Sequence, residues 1–446
     1  MKHPGTATSA PCIGYVVNAF PAASETFLVN ELRALAQRGL PVVVLALDAA
    51  TPIVPHSCAA GLPLPVVRAP GGSWRGLVFL RAHAAAALRR PSTYVRLLGG
   101  ALAQLGKPAG KDGRSRWSRM RRRLRYLSLS CWLTDASRRL GVVHLHAFYA
   151  NKPLELARTA ASLGGTSYSF AAHAKDLYTT PQRRLRRGLA RARFAVTCHE
   201  DGARRLRELA GGRAERIMYL RHGTDLARFR PRPDEGRDPS LVLAVGRLTP
   251  KKGFHDLVAA CVQLRAAGRD FRCVIAGDGR LRDELEGLIA AHGLAGQVRI
   301  LGFQTQDQLA DWYGRAGVLV MPSRVLEDGN RDGIPNVVVE AMCSGTPIVA
   351  TRAGSIPEVI EDGVTGRLVA PGDPAALAAA IGAVLAKPAG AQRLARNALS
   401  TVRGLDYATC AAPLARKFSS LLAKHASRNQ PRAARAAAGG LGGGAR

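Results

Sequence analysis

Short aliphatic and β-branched runs alternate along this chain with stretches whose apolar positions recur every three to four residues. From residue 241 the runs LVLAVG, FRCVIAG, VRILGF, VLVMPS and PIVAT are interleaved with the helix-period segments HDLVAACVQLRAAG, LRDELEGLIAAHGL, QDQLADWYGRAG, NVVVEAMCSG and DPAALAAAIGAVLA. Strand and helix alternating at this spacing predict a doubly wound parallel sheet. The first half begins the same way, with IGYVVNAF, a helix through ETFLVNELRALAQRG, and VVVLALD. It continues less regularly through VVHLHAF, TSYSFAAH and RFAVTCHE, and the Ala-, Leu- and Arg-rich stretch 61–130 is expected to be helical, broken by Gly-Pro turns. Between the halves, residues 230–240 carry three prolines and mixed charge, the composition of a linker. The expected fold class is α/β, with two Rossmann-like domains facing across a cleft. Their expected bounds are 1–230 and 241–415, the last helices packing back on the first domain. The low-complexity basic end, 427–446, is expected to be disordered.

Charge changes this picture once it is located. The 446 residues carry a formal charge of +32, which could point to nucleic acid, but 47% of them are apolar and 22% charged, the proportions of a globular enzyme. Residues 1–235 hold 38 basic and 14 acidic side chains, whereas 236–415 hold 19 and 18. The excess therefore belongs to the first half, where Lys107–Arg125 supplies nine cations and Arg183–Arg193 six, and to the tail. Arg outnumbers Lys 54 to 10, so coding bias accounts for the choice of Arg but not for the clustering. Eight scattered cysteines without a C-x-x-C pair favour a reducing compartment, and no apolar run reaches the length of a membrane span. The opening MKHPGTATSAPCIGYVV has too short an apolar core for an export signal, so a cytoplasmic protein is expected, peripheral at the inner membrane face if it meets a membrane.

Ligands of open α/β sheets bind beyond the carboxyl ends of the strands, so the loops there carry the candidate chemistry. After LVLAV, Gly246 lets the backbone turn, and Arg247 and Lys252 bring cations suited to a diphosphate. After VLVMPS comes a long loop ending Asp332-Gly333-Ile334-Pro335-Asn336, in which Pro335 suits the first position of a helix. The free N–H groups of such a helix start form an anion site. Gly333 leaves room for a ligand, Asp332 can hydrogen-bond a sugar, and Asn336 and Glu340 share one helix face, with Glu340 placed to accept hydroxyls from a ribose.

The spacing Asp332-x7-Glu340, with Gly-Arg-x4-Lys-Gly at 246–253 and Ala-Gly-Asp-Gly at 276–279, resembles the retaining nucleotide-sugar glycosyltransferases of family 4, which have the GT-B fold. In the first half, Phe20-Pro-x3-Glu25-Thr-Phe, Ala171-Ala-His-Ala-Lys-Asp176 and Arg221-His-Gly-Thr-Asp225 resemble the branch that builds bacterial exopolysaccharides, including colanic-acid-type enzymes. The resemblance spans residues 13 to about 385 and implies four catalytic residues, His173, Asp332, Arg247 and Lys252. Arg247 and Lys252 would hold the donor diphosphate, Asp332 the donor sugar and Glu340 the ribose, with His173 across the cleft near the transferred sugar. Gly279, Arg280 and Leu281 would lie near the base, and Glu25, Gly246, Gly333, Ile334, Pro335 and Asn336 would complete the donor site.

Two positions depart from the family. Asp332 stands where Glu is usual, which shortens its reach, and Phe148 follows His144-Leu-His146-Ala where relatives carry a further His; His144 and His146 are read as ordinary strand-end residues. Lys175 and Asp176 are read as a local ion pair. No metal or other cofactor is expected, because no Asp-x-Asp at a strand end, His-Glu-x-x-His or cysteine cluster is present and the cations with a helix terminus can neutralise a diphosphate. The implied partners are a nucleotide sugar donor and a glycan or polyprenyl-diphosphate-linked acceptor. The clusters 107–125 and 183–193 suit an anionic membrane surface, and nucleic acid is not expected. The alternatives are a GT-B nucleotide-sugar epimerase and a non-enzymatic polyanion-binding protein.

Overall fold

The computed structural model describes residues 10–21, 25–48, 61–71, 75–105, 115–231 and 236–429. Its first domain opens with β1 (Cys12–Val17), α1 (Thr26–Gln37), β2 (Val42–Ala46) and β3 (Val66–Arg68). Three consecutive helices follow, α2 (Arg75–Arg89), α3 (Pro91–Leu102) and α4 (Arg116–Arg139). The sheet resumes with β4 (Val142–Ala147), α5 (Lys152–Gly164) and β5 (Ser167–Ala172). After α6 (Ala174–Thr179) and α7 (Gln182–Leu189), it closes with β6 (Ala195–Thr197), α8 (Glu200–Ala210) and β7 (Ile217–Tyr219). Among the described residues all seven strands of this sheet run parallel in the order β3-β2-β1-β4-β5-β6-β7.

The second domain runs β8 (Asp238–Val245), α9 (Phe254–Ala266), β9 (Arg272–Ala276), α10 (Arg282–Ala291) and β10 (Val298–Gly302). It continues with α11 (Gln306–Arg315), β11 (Ala316–Met321), α12 (Asn336–Cys343), β12 (Ile348–Thr351) and β13 (Arg367–Val369). The helices α13 (Pro374–Leu385) and α14 (Pro388–Val402) end it. Its six strands are parallel in the order β10-β9-β8-β11-β12-β13. Every residue of β1, β2 and β11 is buried, as continuous apolar strands covered by helices on both faces must be.

The last helix, α15 (Tyr407–Asn429), packs on α1, and its Phe418 is fully buried against Tyr15, His146 and Phe194 of the first domain. Under that helix lies a polar seam. Both ring nitrogens of His144 meet serine hydroxyls, Ser167 and Ser169, at 2.8 Å, and His146 Nδ1 meets Ser169 at 2.7 Å. Burial pushes both imidazoles down to about 3, with His146 and Arg193 adding to the effect on His144, so both are neutral core residues.

The structure corrects three expectations. Within 61–130, Val66–Arg68 is an edge strand; prolines at 63, 65 and 70 bracket it and keep it too short to show a periodicity. Pro335 does not occupy the first helical position but precedes it, with φ −69° and an extended ψ of 126°. Residues 427–429, assigned to a disordered tail, complete the last turn of α15, and the rest of that tail lies outside the described residues. Residues 107–114 of the first basic cluster and 232–235 of the linker also lie outside them.

Candidate active site

In each sheet the strand order reverses once, between β1 and β4 in the first domain and between β8 and β11 in the second. Loops leave adjacent strands there in opposite directions, opening a crevice at the carboxyl ends. The β8 loop carries Gly246 to Lys252, the β11 loop Ser323 to Asp332, the β1 loop Glu25 and the β4 loop Tyr149. Residues distant in sequence are thus gathered by topology.

Asp332 lies at the centre of the second-domain crevice and is only 8% exposed. Its carboxylate accepts from Lys251 Nζ at 2.8 Å, Lys252 Nζ at 2.9 Å and Ser323 Oγ at 2.8 Å. Burial alone would raise its pKa, but the two ammonium groups and their hydrogen bonds hold it well below the carboxylate range. Lys252 is pushed down by burial, with Lys251 and Arg247 adding repulsion against the attraction of Asp332. Three cations and one carboxylate leave the second-domain side of this pocket two positive charges in excess, with Glu25 of the first domain the next acid, beside Arg247. Two glycines allow the packing. Gly253, at φ 67°, lies where any Cβ would strike the carbonyl of Pro322, and Gly354, at φ 56°, holds the same relation to the carbonyl of Asp332.

Beside the crevice, α12 starts at Asn336, and Glu340 one turn on is buried, its Oε2 accepting from the Tyr313 hydroxyl at 2.9 Å. Burial pushes Glu340 up to about 7, against the hydrogen bond from Tyr313 and the charge of Arg228. On the opposite rim Gly279 and Arg280 are exposed, whereas the Leu281 side chain lies in the core, so what Leu281 presents to the crevice is backbone. Ile334 is half buried against the second-domain core.

The first domain answers with aromatic and imidazole rings. His173 caps α6, its backbone N–H donating to Asp176 Oδ1 at 2.9 Å, and its Nδ1 finds no hydrogen-bond partner. Its ring stacks on His222 at 5.2 Å and touches Phe148 at 4.9 Å and Tyr149 at 5.1 Å. Burial, then the neighbouring His222, His199 and His146, holds His173 well below its ordinary value, and burial takes His222 to about 3, so both rings are neutral. Lys175 favours the ionised form of Asp176 by its charge, but the hydrogen bonds of Asp176 go to backbone. Its carboxylate takes the backbone N–H groups of His173 and Ala150, which ties α6 to the β4 loop.

The two domains meet around this point. Burial raises Glu25, while the Tyr149 hydroxyl bonded to it and Arg247 of the second domain pull it back down. Gly333 faces His199 and Ala174, Arg331 lies 4.2 Å over the Tyr178 ring, and Glu358 Oε2 accepts the Glu200 N–H at the start of α8 at 2.8 Å. The sequence motifs mark Asp332, Lys252, Arg247, His173 and Glu25, and the fold brings them to one cleft. They leave unmarked Lys251, Ser323, Tyr149, His222 and Glu358. The Lys251-Lys252 pair and the Arg221-His222 motif were visible signals, but the other three carry none without the strand order.

Two parallel α/β domains with the carboxyl ends of both sheets at a shared cleft define the GT-B class of glycosyltransferase folds. Residues 227–401 match the family described as Glycosyl transferases group 1. The putative colanic acid biosynthesis glycosyltransferase WcaL of Escherichia coli is 28% identical, over 82% of this chain and 88% of its own length. The amylovoran biosynthesis glycosyltransferase AmsK of Erwinia amylovora is 36% identical over 37% of this chain and 41% of its own. Among solved structures, HepE of Anabaena in complex with UDP and glucose has a TM-score of 0.65 at 19% identity, covering 92% of this chain and 100% of that one. Sucrose-phosphate synthase of Thermosynechococcus elongatus has a TM-score of 0.68 at 21% identity, over 93% and 100% of the two chains. The chain is an enzyme, a glycosyltransferase with the GT-B fold, and its relatives include transferases of exopolysaccharide type.

Proposed function

We propose that this glycosyltransferase moves a sugar, with retention of the anomeric configuration, from a nucleotide diphosphate sugar to a saccharide or polyprenyl-diphosphate-linked saccharide in exopolysaccharide synthesis. The observation that carries the donor assignment is the crevice charge. Arg247, Lys251 and Lys252 outnumber Asp332 by two, the charge a bound diphosphate would neutralise, and the N-terminus of α12 adjoins them. HepE, related in fold, was solved with UDP and glucose, which supports a uridine-type donor as the first to test.

In this reading Arg247 and Lys252 hold the diphosphate and Glu340 takes the ribose hydroxyls. Gly279, Arg280 and the Leu281 backbone flank the base, and Gly246, Gly333, Ile334, Pro335 and Asn336 shape the pocket. Asp332 holds both lysines in place and, with His173 across the cleft, borders the transferred sugar. The bond from the anomeric carbon to the diphosphate breaks while the acceptor oxygen bonds that carbon on the same face, and the acceptor proton passes to the leaving phosphate oxygen. The protein's part is positioning and charge stabilisation. Neutral His173 is a hydrogen-bonding group here rather than a base. Three cations stand where a divalent ion would otherwise offset the phosphates, so the reaction needs no metal. The acceptor would be met on the first domain, whose basic helices support a peripheral position at the cytoplasmic membrane face.

A thermal-shift screen of nucleoside diphosphates and their sugars tests the donor half. One nucleotide should stabilise the protein selectively, by several degrees at saturation, and Lys252→Ala should abolish the shift. Product NMR should show the donor's anomeric configuration retained, with turnover unchanged by EDTA. Isomerised nucleotide sugar in place of a glycoside product would support the epimerase instead.

A further inference from the structure

Helices α2, α3 and α4 stand outside the alternating strand-helix pattern, and their outer surface is unusual in two respects. Among the described residues, nine large apolar side chains stand in solvent, and six of them are here: Leu77, Leu80, Leu88, Val95, Leu102 and Trp117, between 46% and 84% exposed. They are not scattered. On α2, Leu77, Leu80 and Leu88 are joined by exposed Ala84 at spacings of three, seven and eleven residues, a single stripe opposite the buried Ala82 and Ala86. Val95 and Leu102, seven apart, share one face of α3. The ordinary pattern of a surface helix, apolar inward and polar outward, is here apolar on both sides.

The second respect is charge. From residue 61 to 130 the chain holds fifteen Lys and Arg against one acid. Arg81, Arg89 and Arg96 flank the apolar stripes, and Arg116, Arg121, Arg123 and Arg125 are exposed along α4. This face continues onto α7, where Arg183, Arg184, Arg186 and Arg187 are exposed. Arg123 of α4 and Arg184 of α7 converge on one carboxylate, Glu155 of α5, at 2.8 and 3.9 Å, so the two basic helices form one surface.

We propose that this face docks on an anionic lipid bilayer, with the α2 and α3 stripes and Trp117 entering the headgroup boundary while the surrounding guanidinium groups pair with lipid phosphates. Exposed apolar surface of this extent marks an interaction site, and the chemistry selects the occupant. A second copy would set this cationic, nearly acid-free face against itself. Nucleic acid would use the arginines but give the leucines and valines nothing to enter. A bilayer with anionic headgroups takes both, since each cation near the surface adds attraction and apolar side chains insert below it. This extends the acceptor half of the proposed function, because a lipid-linked acceptor would be met at that surface, yet it stands on exposure and charge alone.

The test is sedimentation of the full chain with vesicles of phosphatidylcholine, with and without phosphatidylglycerol, at low and high salt. Binding should require phosphatidylglycerol and weaken with salt. Brominated lipid should quench Trp117, with Trp117→Phe as the control. Leu77→Asp/Leu80→Asp/Leu88→Asp and Arg121→Glu/Arg125→Glu should each weaken binding at least about tenfold, while transfer to a water-soluble acceptor stays unchanged. If the triple variant fails to fold by circular dichroism, the arginine variant and the quenching decide. Absence of binding to anionic vesicles, equal binding by the leucine and arginine variants, or tight duplex DNA binding that outcompetes vesicles would overturn the proposal. Vesicle binding by a protein inactive on every donor would leave it standing and remove the functional reading; turnover without vesicle binding would do the reverse.

Discussion

Glu340 is held under opposing influences, since burial favours its neutral form whereas the proposed role, accepting ribose hydroxyls, favours the carboxylate. With its pKa pushed up to about 7 by burial, and only partly restored by Tyr313 and Arg228, half of it is protonated near neutrality. If the ionised form binds donor, affinity rises about tenfold per pH unit below 7 and levels off above it. Calorimetric titration of the stabilising nucleotide between pH 5.5 and about 8.5 should show this break. Glu340→Gln should bind more weakly and without the break; a break that survives the substitution would assign it to another group. The Asp332 cluster marks how far residue-level reading reaches. Spacing marked Asp332 and Lys252 individually, but their mutual ion pair, shared with Lys251, follows from two loops leaving neighbouring strands.

At the scale of elements, the β11 loop and the turn carrying Glu358 cross to the first domain and meet helix starts there. Glu358 Oε2 and Oε1 lie 2.8 and 3.5 Å from the N–H groups of Glu200 and Asp201, free donors of the first turn of α8, and so serve as a cap supplied by the other domain. Arg331 on Tyr178 adds a second contact nearby. Removing such a cap costs about 1 kcal/mol, and here the cost falls on the contact between the domains. Glu358→Ala should therefore raise the donor KM about fivefold, with an increased radius of gyration by X-ray scattering and an unchanged denaturation midpoint for each domain. An unchanged scattering profile would show that the contact does not hold the cleft. Long alternating elements were legible because each buries a face whose period repeats several times, as in β8 to α11. Of the four three-residue strands, β6 was legible inside the longer apolar run RFAVTCHE, whereas β3, β7 and β13 were not, since no such run surrounds them and only the neighbouring strand defines them. Glu358 was invisible for a related reason: its partner lies 158 residues away, across the cleft.

For the whole molecule, buried ionisable groups set how acid affects folding. His144, His146 and His222 are held down to about 3 in the fold against an ordinary 6.5, and His173 is held well below it too, so the unfolded chain takes up four protons that the native state refuses. Their contribution to stability is complete above about 6.5 and is lost as pH falls toward 3. Glu31, Asp176 and Glu340, raised to about 7, and Glu25, also raised by burial, act in the opposite sense. Their contribution is complete below their ordinary values, near 4, and is lost as pH rises through the raised ones. Between about 4.5 and 6.5 the two sets offset each other, whereas below 4 only the histidines and the depressed carboxyl of Asp332 remain, all of them destabilising on protonation. Each proton gained is also added to a chain already at +32. The urea midpoint should thus change little across that window and fall steeply below it, with stability lost at up to about 5 kcal/mol per pH unit. The double variant His144→Gln/His146→Gln should be less stable at neutral pH because the serine-linked seam beneath α15 is disturbed, yet its acid limb should be shallower by about two protons. An acid limb of unchanged slope in that variant would mean that these two imidazoles do not govern the acid transition, and that charge repulsion does.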